Sequence, residues 1–239
     1  MPMATTRSRT LPAGGGVDAH WHDGHQIAYA SRGVLSVTTG AGTWIAPANR
    51  ALWVPAGTVH EHRAYGVTTL HTVGLPVDVN PLGLAEPTVL AVSPLLRELV
   101  IAYTEPAVPG PERDRLRAVL LDRLRSAPQQ PIHLPAGRDE RLVAVCGLLH
   151  TDPGDTRTLA RLGAAVGVSH RTLTRLFRDE LGMTFPQWRT QLRLHHALIL
   201  LAEGVPVTAV ARRCGWSTAS AFIDTFRRTM GAPPGRFRS

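Results

Sequence analysis

The side chains best suited to chemistry lie along one face of a helix that the sequence predicts between about 169 and 181. That face presents an N-cap followed by polar and cationic residues at helical spacing: Ser169, His170, Arg171, Thr174, Arg175 and Arg178. An arginine near the start of such a helix can donate two hydrogen bonds to O6 and N7 of guanine in the major groove of DNA. We expect Arg171 or Arg175 to contact bases and Arg178 to contact phosphate. A merely solvated cationic face is the alternative.

The same pattern is written a second time, so that Phe177-Arg178 and Gly182 recur 49 positions later as Phe226-Arg227 and Gly231. The second helix is capped by Ser217 or Thr218, and its outward residues are Ala219, Ser220, Ile223, Asp224 and Arg227. The Asp224 carboxylate repels phosphate, although it can accept from the cytosine amino group. We expect this copy to read fewer bases and mainly to position the DNA backbone.

The distribution of charge favours the same interpretation. The net charge is +8, and residues 138–239 hold 15 arginines against 8 acidic residues, a net charge of +7. Basic charge gathered in one part of a chain is typical of phosphate binding. A helix predicted over 186–202, roughly 25 Å long, separates the two copies. Such a spacer would set their recognition helices about one DNA turn apart.

Residues 138–238 resemble the DNA-binding domain of the AraC/XylS family of bacterial transcription regulators. In the first half the matching residues are Leu162, Gly167-Val168-Ser169, Leu173, Phe177-Arg178 and Gly182. In the second half they are Val210-Ala211, Gly215-Trp216, Ser217, Phe222, Phe226-Arg227, Gly231, Pro233-Pro234 and Phe237-Arg238. The resemblance implies seven helices, binding of double-stranded promoter DNA in two adjacent major grooves, a homodimer, and contact with RNA polymerase.

A group of histidines lies near the N-terminus. His20 and His22 are two residues apart, so on a β-strand both would point to the same side. The spacing of Gly14, His20, His22, Gln26, Gly33, Pro55, Gly57 and His60 resembles the two motifs of cupin domains. The resemblance implies a β-barrel that holds one divalent transition metal through His20, His22, His60 and Gln26. Imidazole ligands suit Zn, Fe, Ni or Cu.

The alternative for the barrel is a pocket that binds a small-molecule effector without a metal. Its aromatic candidates are Trp21, Trp44 and Trp53. His25, His62 and His71 also lie nearby in the sequence, and each alone is more typical of the surface or the core than of a ligand set.

We predict an α+β protein of two domains, with an N-terminal cupin-like β-barrel and following helices, and a C-terminal all-α domain. The all-α domain contains two helix-turn-helix units joined by a long helix. The boundaries are a flexible tail over 1–16, the sensor barrel over 17–92, a helical dimerisation region over 93–127, a linker over 128–137 and the DNA-binding domain over 138–239. In the dimerisation region, the stripe of Leu116, Val119, Leu120 and Leu124 favours a dimer contact over packing on the barrel.

Composition suggests the cellular context. The chain has 239 residues and 44% hydrophobic content, enough for a real core. No apolar run approaches the ~20 residues needed to cross a bilayer. Because the sequence has only Cys146 and Cys214 and no signal-peptide pattern, we expect a cytoplasmic protein without a membrane partner.

These features favour a regulator that is not an enzyme, whose barrel senses a small molecule or metal ion and whose helical half binds promoter DNA. A metal-dependent cupin enzyme fused to a DNA-binding module is the alternative, with Glu61 as its only obvious acid–base residue. A third hypothesis is an architectural DNA-binding protein with a structural barrel.

Overall fold

The computed structural model describes residues 4–106, 109–130 and 133–238. They form two compact units, Met1–His133 and Leu134–Ser239. The ends of the predicted tail and DNA-binding domain, at residues 1–3 and 239, and residues 131–132 of the predicted linker lie outside the described residues. No described helix is both long enough and apolar enough to span a lipid bilayer.

The first unit is built on an antiparallel sheet. Its strands are β1 Arg7–Leu11, β2 Gly16–His20, β3 His25–Thr39, β4 Gly42–Pro47, β5 Arg50–Val54, β6 His60–Leu75, β7 Thr88–Ala91 and β8 Gln129–Gln130. The strand order is β1-β6-β3-β5-β7-β8, with β2 also paired to β6 and β4 also paired to β3. A short strand β9, His133–Pro135, lies where the first unit ends.

Strands β3 and β6 form the longest pairing, from His25 opposite Leu75 to Thr39 opposite His60. Side chains alternate along β6, so His60 and His62 are buried while Glu61 is only half-buried. The buried face of the sheet also carries an apolar cluster, formed by Leu11, Ala28, Ala30, Leu35, Val37, Trp44, Leu52, Val54, Ala64, Leu70 and Val89. The interior of this unit therefore combines an apolar core with inward-facing histidines.

A single glycine allows β3 to bend while it stays paired with β6. The sequence predicted two strands here, over Gln26–Ser31 and Val34–Thr38, but the structure has one strand whose register shifts between Ala30 and Val34. Gly33 has φ +76°, and a Cβ atom there would clash with Oγ1 of Thr68. Both the backbone angle and the space therefore require glycine.

Two helices cover the outer face of the sheet, α1 Pro94–Thr104 and α2 Gly110–Arg125. Leu120 and Leu124 are fully buried in a cluster that includes Tyr29, Trp53 and Leu99. The prediction that this stripe forms a dimer contact is therefore wrong for its central leucines, because the sheet of the same chain already covers them. Val119 remains 44% exposed.

The predicted tail and linker both contain strands of the sheet. Within residues 1–16, β1 pairs with β6 from Arg7 opposite Thr72 to Leu11 opposite Thr68. Within residues 128–137, β8 pairs with β7. These strands were missed because their side chains are largely polar. They join the sheet through backbone hydrogen bonds, which leave no hydrophobic period in the sequence.

The second unit is all-α. Its described residues form α3 Glu140–Thr151, α4 Leu159–Ala165, α5 His170–Leu181, α6 Phe185–Ala202, α7 Val207–Arg213, α8 Ala219–Met230 and a 3-10 helix at Pro234–Phe237. The resemblance implied seven helices, and the last of the seven described here is this 3-10 turn. Phe177 and Trp188 are fully buried with ring centres 5.7 Å apart, which packs α5 against α6.

Side-chain caps mark the starts of three helices, and those of α5 and α8 confirm predicted starts. The hydroxyls of Thr158, Ser169 and Thr218 accept hydrogen bonds from the first turns of α4, α5 and α8. Thr218, rather than Ser217, is therefore the cap of α8. Helices α5 and α8 both end at a left-handed glycine, Gly182 and Gly231, as the repeat requires.

An arginine of α6 holds the segment between α3 and α4 and packs closely against the turn between α7 and α8. The Arg193 guanidinium donates to the carbonyls of Pro153 and Asp155 at 3.2 and 3.0 Å. Gly215, at φ +73°, lies so close that a Cβ would stand 2.6 Å from Arg193 Nη2. Arg193 therefore stabilises the fold of this unit, because its guanidinium donates to backbone carbonyls inside the unit.

Replacing Gly33 by alanine should destabilise the first unit by about 2–5 kcal/mol, the sum of left-handed strain and a steric clash. The matched control is Gly57→Ala, since Gly57 has the same φ of +76° but open space around a Cβ atom. It should cost only about 1–2 kcal/mol. Urea denaturation measures both, and equal losses would contradict the role given to Thr68.

The second unit should lose stability as the pH falls from about 6.5 towards 4. Burial lowers the pKa of His196 to about 4, helped by the nearby His150. The unfolded chain therefore binds a proton in this window that the folded state rejects, at a cost of about 2 kcal/mol at pH 5. Urea titrations followed by circular dichroism at pH 7 and pH 5 measure the loss.

The variant His196→Asn should reduce this pH dependence, whereas His170→Asn, at an exposed position, should preserve it. An undiminished pH dependence in His196→Asn would show that other groups cause the loss.

Candidate functional site: nucleic-acid interface and histidine cluster

Helix α5 presents the predicted cationic face to solvent. Its buried side is formed by Leu173, Leu176, Phe177 and Leu181. On the other side Ser169, His170, Arg171, Arg175 and Arg178 are exposed. Thr174 is half-buried because its hydroxyl donates to the carbonyl of His170 at 2.9 Å. The face borders a depression of about 590 Å³, so its cations are available to a large anionic partner.

One acidic residue on this face, Asp179, was not among the predicted residues. Nη1 of Arg175 lies 3.4 Å from Oδ2 of Asp179, one helical turn later, and both side chains are more than half exposed. An exposed pair of this kind is worth little in stability. The pair makes Arg175 less available to a binding partner, since Asp179 competes with any other anion for the Arg175 guanidinium. The i, i+4 spacing was the sequence signal that could have revealed it.

The second helix pair, α7 and α8, carries more positive charge than the predicted residues alone provide. Thr218, Ser220, Asp224 and Arg227 of the predicted set are all exposed. Three further arginines are exposed around them, Arg212 and Arg213 at the end of α7 and Arg228 on α8. Arg212 and Arg213 were missed because the repeat was compared over its second helices alone, whereas Arg228 lies beside the outward positions considered on the second helix. This pair therefore offers cations suited to phosphate contacts.

Three of the predicted metal ligands come together in the first unit. One ring nitrogen from each of His20, His22 and His60 lies within 4.8 Å of those of the other two. The pairing of β2 with β6 sets His20 directly opposite His60. His20 and His22 are half-buried, whereas His60 is 1% exposed. Solvent therefore reaches the cluster from the side of His20 and His22.

Backbone carbonyls orient two of these rings. Nδ1 of His20 donates to the carbonyl of Asp18 at 2.7 Å, and Nδ1 of His60 donates to that of Thr58 at 2.8 Å. Nε2 is then the nitrogen that carries a lone pair. Nε2 of His60 is buried and has no hydrogen-bond partner among the described residues. Burial lowers the pKa of His60 to about 4, so the ring is neutral near pH 7.

Gln26, the fourth predicted ligand, contacts the cluster through a histidine. Its side-chain amide nitrogen donates to Nε2 of His22 at 3.1 Å. The side chain is 3% exposed. The structure thus brings Gln26 to the cluster, where it is engaged in orienting His22.

A further histidine, His62, lies beside the cluster, although it was not predicted as a ligand. The ring centre of His62 lies 5.1 Å from that of His60 and 5.7 Å from that of His20. His62 is 1% exposed, and burial lowers its pKa well below the usual value. The signal was present in the spacing of two between His60 and His62, which repeats that of His20 and His22.

The three tryptophans do not line a common pocket. Trp53 is buried between the sheet and the helices α1 and α2, with Nε1 donating to the carbonyl of Leu84 at 3.2 Å. Trp44 belongs to the apolar interior, and Trp21 is 38% exposed. The prediction of an aromatic effector pocket is therefore wrong in grouping them, because Trp44 and Trp53 belong to different hydrophobic clusters and Trp21 is exposed outside the strands.

Comparison with known proteins divides the chain in the same way. The model of the cupin domain matches residues 8–75, and that of a helix-turn-helix domain matches residues 162–239. The transcriptional regulator NimR of Escherichia coli is 31% identical over 224 residues, which are 91% of this chain and 81% of NimR. The arabinose operon regulatory protein of Escherichia coli is 30% identical over 122 residues, or 50% of this chain and 41% of that protein.

A solved structure gives a third comparison. The AraC-type transcriptional regulator from Chromobacterium violaceum is 27% identical, with a TM-score of 0.40, over 41% of this chain and 89% of that chain.

Proposed function

This chain belongs to the AraC family of DNA-binding transcription regulators, and on that premise we propose how its two units divide the work. The exposed face of α5 contacts base edges, and the second helix pair, α7 and α8, contacts the DNA backbone. The cupin unit binds a divalent transition metal through its histidines, and metal binding controls the affinity of the helical unit for promoter DNA. The alternative of a small-molecule effector is a separate outcome of the tests below.

The observation that carries base reading is the exposure of Arg171 and Arg175 in the first half of a capped helix. A recognition helix contacts base edges with its N-terminal residues, and a bidentate arginine–guanine contact discriminates by about 1–3 kcal/mol. Arg178 lies further along the helix and is assigned to phosphate, with Ser169 and His170 at the helix start. Asp179 tunes this face by competing for Arg175.

The second helix pair is assigned mainly to phosphate. Its exposed arginines, Arg212, Arg213, Arg227 and Arg228, are placed at the ends of α7 and α8. Asp224 stands on the outward face and disfavours close approach of a phosphate there, while it can accept from a cytosine amino group. A homodimer and a contact with RNA polymerase stay predictions from the family.

The three-histidine cluster supports the metal assignment through the chemistry of its donors. His20, His22 and His60 would hold the ion. Neutral imidazoles are the form that binds metal, and the buried, unpartnered Nε2 of His60 is an unsatisfied donor atom that an ion would satisfy. The bound ion would supply positive charge and fix the end of β2 and the residues after it relative to the start of β6. In this proposal, binding of the ion is the signal that changes the affinity for DNA.

The acid–base residue named for the enzyme alternative does not share a face with the buried histidines. Glu61 alternates with His60 and His62 along β6 and so lies on the opposite side of the strand. The matched relatives named above are transcriptional regulators and an operon regulatory protein.

Arg175→Ala should weaken binding to a selected operator by about 1–3 kcal/mol and relax preference at one base position. Asp179→Asn should act in the opposite direction and tighten binding, because it frees Arg175 and removes a repelling charge. Fluorescence anisotropy with operator and randomised duplexes measures both.

Two variants serve as controls for base reading. Arg178→Ala should weaken all sequences alike and reduce the salt dependence of binding by about one phosphate contact. Arg115→Ala, on the exposed side of α2 in the cupin unit, removes the same charge and should change nothing. Unchanged base preference in Arg175→Ala would withdraw that residue from base reading.

Metal control of DNA binding is tested by measuring operator affinity with Zn(II) or Co(II) and after chelation. We expect at least about a tenfold difference, comparable to common allosteric coupling. Equal affinity in all conditions would reject metal control while leaving DNA binding intact, and would favour a small-molecule effector or an architectural role.

A further inference from the structure

We propose that His62, rather than Gln26, is the fourth protein ligand of the metal site in the cupin unit. The inference rests on the proposed metal binding and names a ligand set for it: His20, His22, His60 and His62. Two pairs of histidines spaced by two residues, one pair near the end of β2 and one at the start of β6, would then hold one ion.

Ring positions support a shared centre. A metal–nitrogen bond of about 2.0–2.1 Å, together with the size of the ring, puts the centres of two imidazoles on one ion roughly 4.5–6 Å apart, depending on the bond angle. The ring centre of His20 lies 4.9 Å from that of His22, 4.4 Å from that of His60 and 5.7 Å from that of His62. His60 lies 5.5 Å from His22 and 5.1 Å from His62. Four of these five separations fall within that range and the one between His20 and His60 lies just below it, so His62 approaches the cluster beside His20 and His60.

The nitrogens of His62 lack any other use. Both Nδ1 and Nε2 are buried, and neither has a hydrogen-bond partner within the described part of the chain. Leaving a buried donor or acceptor unpaired destabilises a fold. The other fully buried barrel histidines differ, since His25 bonds to Val77 and Ala56, and His71 bonds to Thr104 and Ser31. An ion is a partner that would satisfy His62.

Gln26 has a different task in this arrangement. Its side-chain amide lies 3.1 Å from Nε2 of His22. With an ion bound, the amide oxygen would accept from that ring N–H and leave Nδ1 of His22 for the ion, so Gln26 acts as a positioning residue for that histidine. An uncharged amide is also a weaker ligand than imidazole for the later transition metals. Four neutral imidazoles select such metals over Mg²⁺ and Ca²⁺, which prefer oxygen ligands.

The test is titration of the full-length protein with Co(II) and Zn(II), followed by the visible absorption of Co(II) and by competition with a chelating dye. His62→Leu replaces the ring by an apolar side chain and removes two unpaired buried nitrogens. We expect its metal-free form to melt at the same temperature as the wild type or higher. Its metal affinity should fall at least about tenfold, with an altered Co(II) spectrum.

Matched variants separate a ligand from a residue that only supports the fold. His71→Asn, on the same strand β6, should keep the affinity and the spectrum. Gln26→Ala should weaken binding but keep the shape of the Co(II) spectrum, because all four nitrogens remain. His62→Gln, which retains a polar side chain, is measured alongside in case His62→Leu does not fold, and it too should lose affinity and alter the spectrum.

Two results would overturn the assignment in distinguishable ways. If the His62 variants bind Co(II) with the affinity and spectrum of the wild type, His62 is not a ligand although the metal site exists. If the wild-type protein binds neither ion, the proposed metal function fails and the assignment fails with it.

Discussion

The register between β3 and β6 is the constraint on which the cupin unit depends. Side chains alternate along a strand, so a slip of one residue would move His60 and His62 to the outer face and bring Glu61 inward. A separate pairing, of β2 with β6, sets His20 opposite His60. Gly33 lets the register of β3 against β6 shift between Ala30 and Val34, while the two halves of β3 also pair with β5 and β4. The histidine cluster therefore depends on the pairing of β6 with both β3 and β2.

Arginines in the helical unit divide into two groups, and only the structure separates them. Arg193 donates to backbone carbonyls inside the unit, and Arg189 stacks over Phe185 at 4.2 Å. Arg171 and Arg175 instead stand exposed at the start of α5. Net charge alone counts all of these equally. The positive surface is therefore smaller than the composition indicates, and it includes the exposed arginines of α5 and those of α7 and α8.

Much of the fold was predictable because it follows local rules. Helical periodicity, the caps at Thr158 and Ser169, and the glycine ends at Gly182 and Gly231 act within a few residues. The strands of β1 and β8 were not predictable, since their polar side chains carry no hydrophobic period and their stabilisation comes from backbone pairing with distant strands. The leucine stripe of α2 was recognised, but its partner was not, because periodicity defines a face without saying what covers it.

The sequence by itself determined the family, the duplicated helical pattern and the residue types of both candidate sites, because spacing along a helix or strand fixes which side chains share a face. Only the tertiary structure decided which of those side chains are available. It buried His62 beside other histidines with no hydrogen-bond partner among the described residues, and it set the Gln26 amide against His22. It also set Asp179 against Arg175. Availability depends on distances between separate elements and on burial, and neither quantity is written in the local sequence.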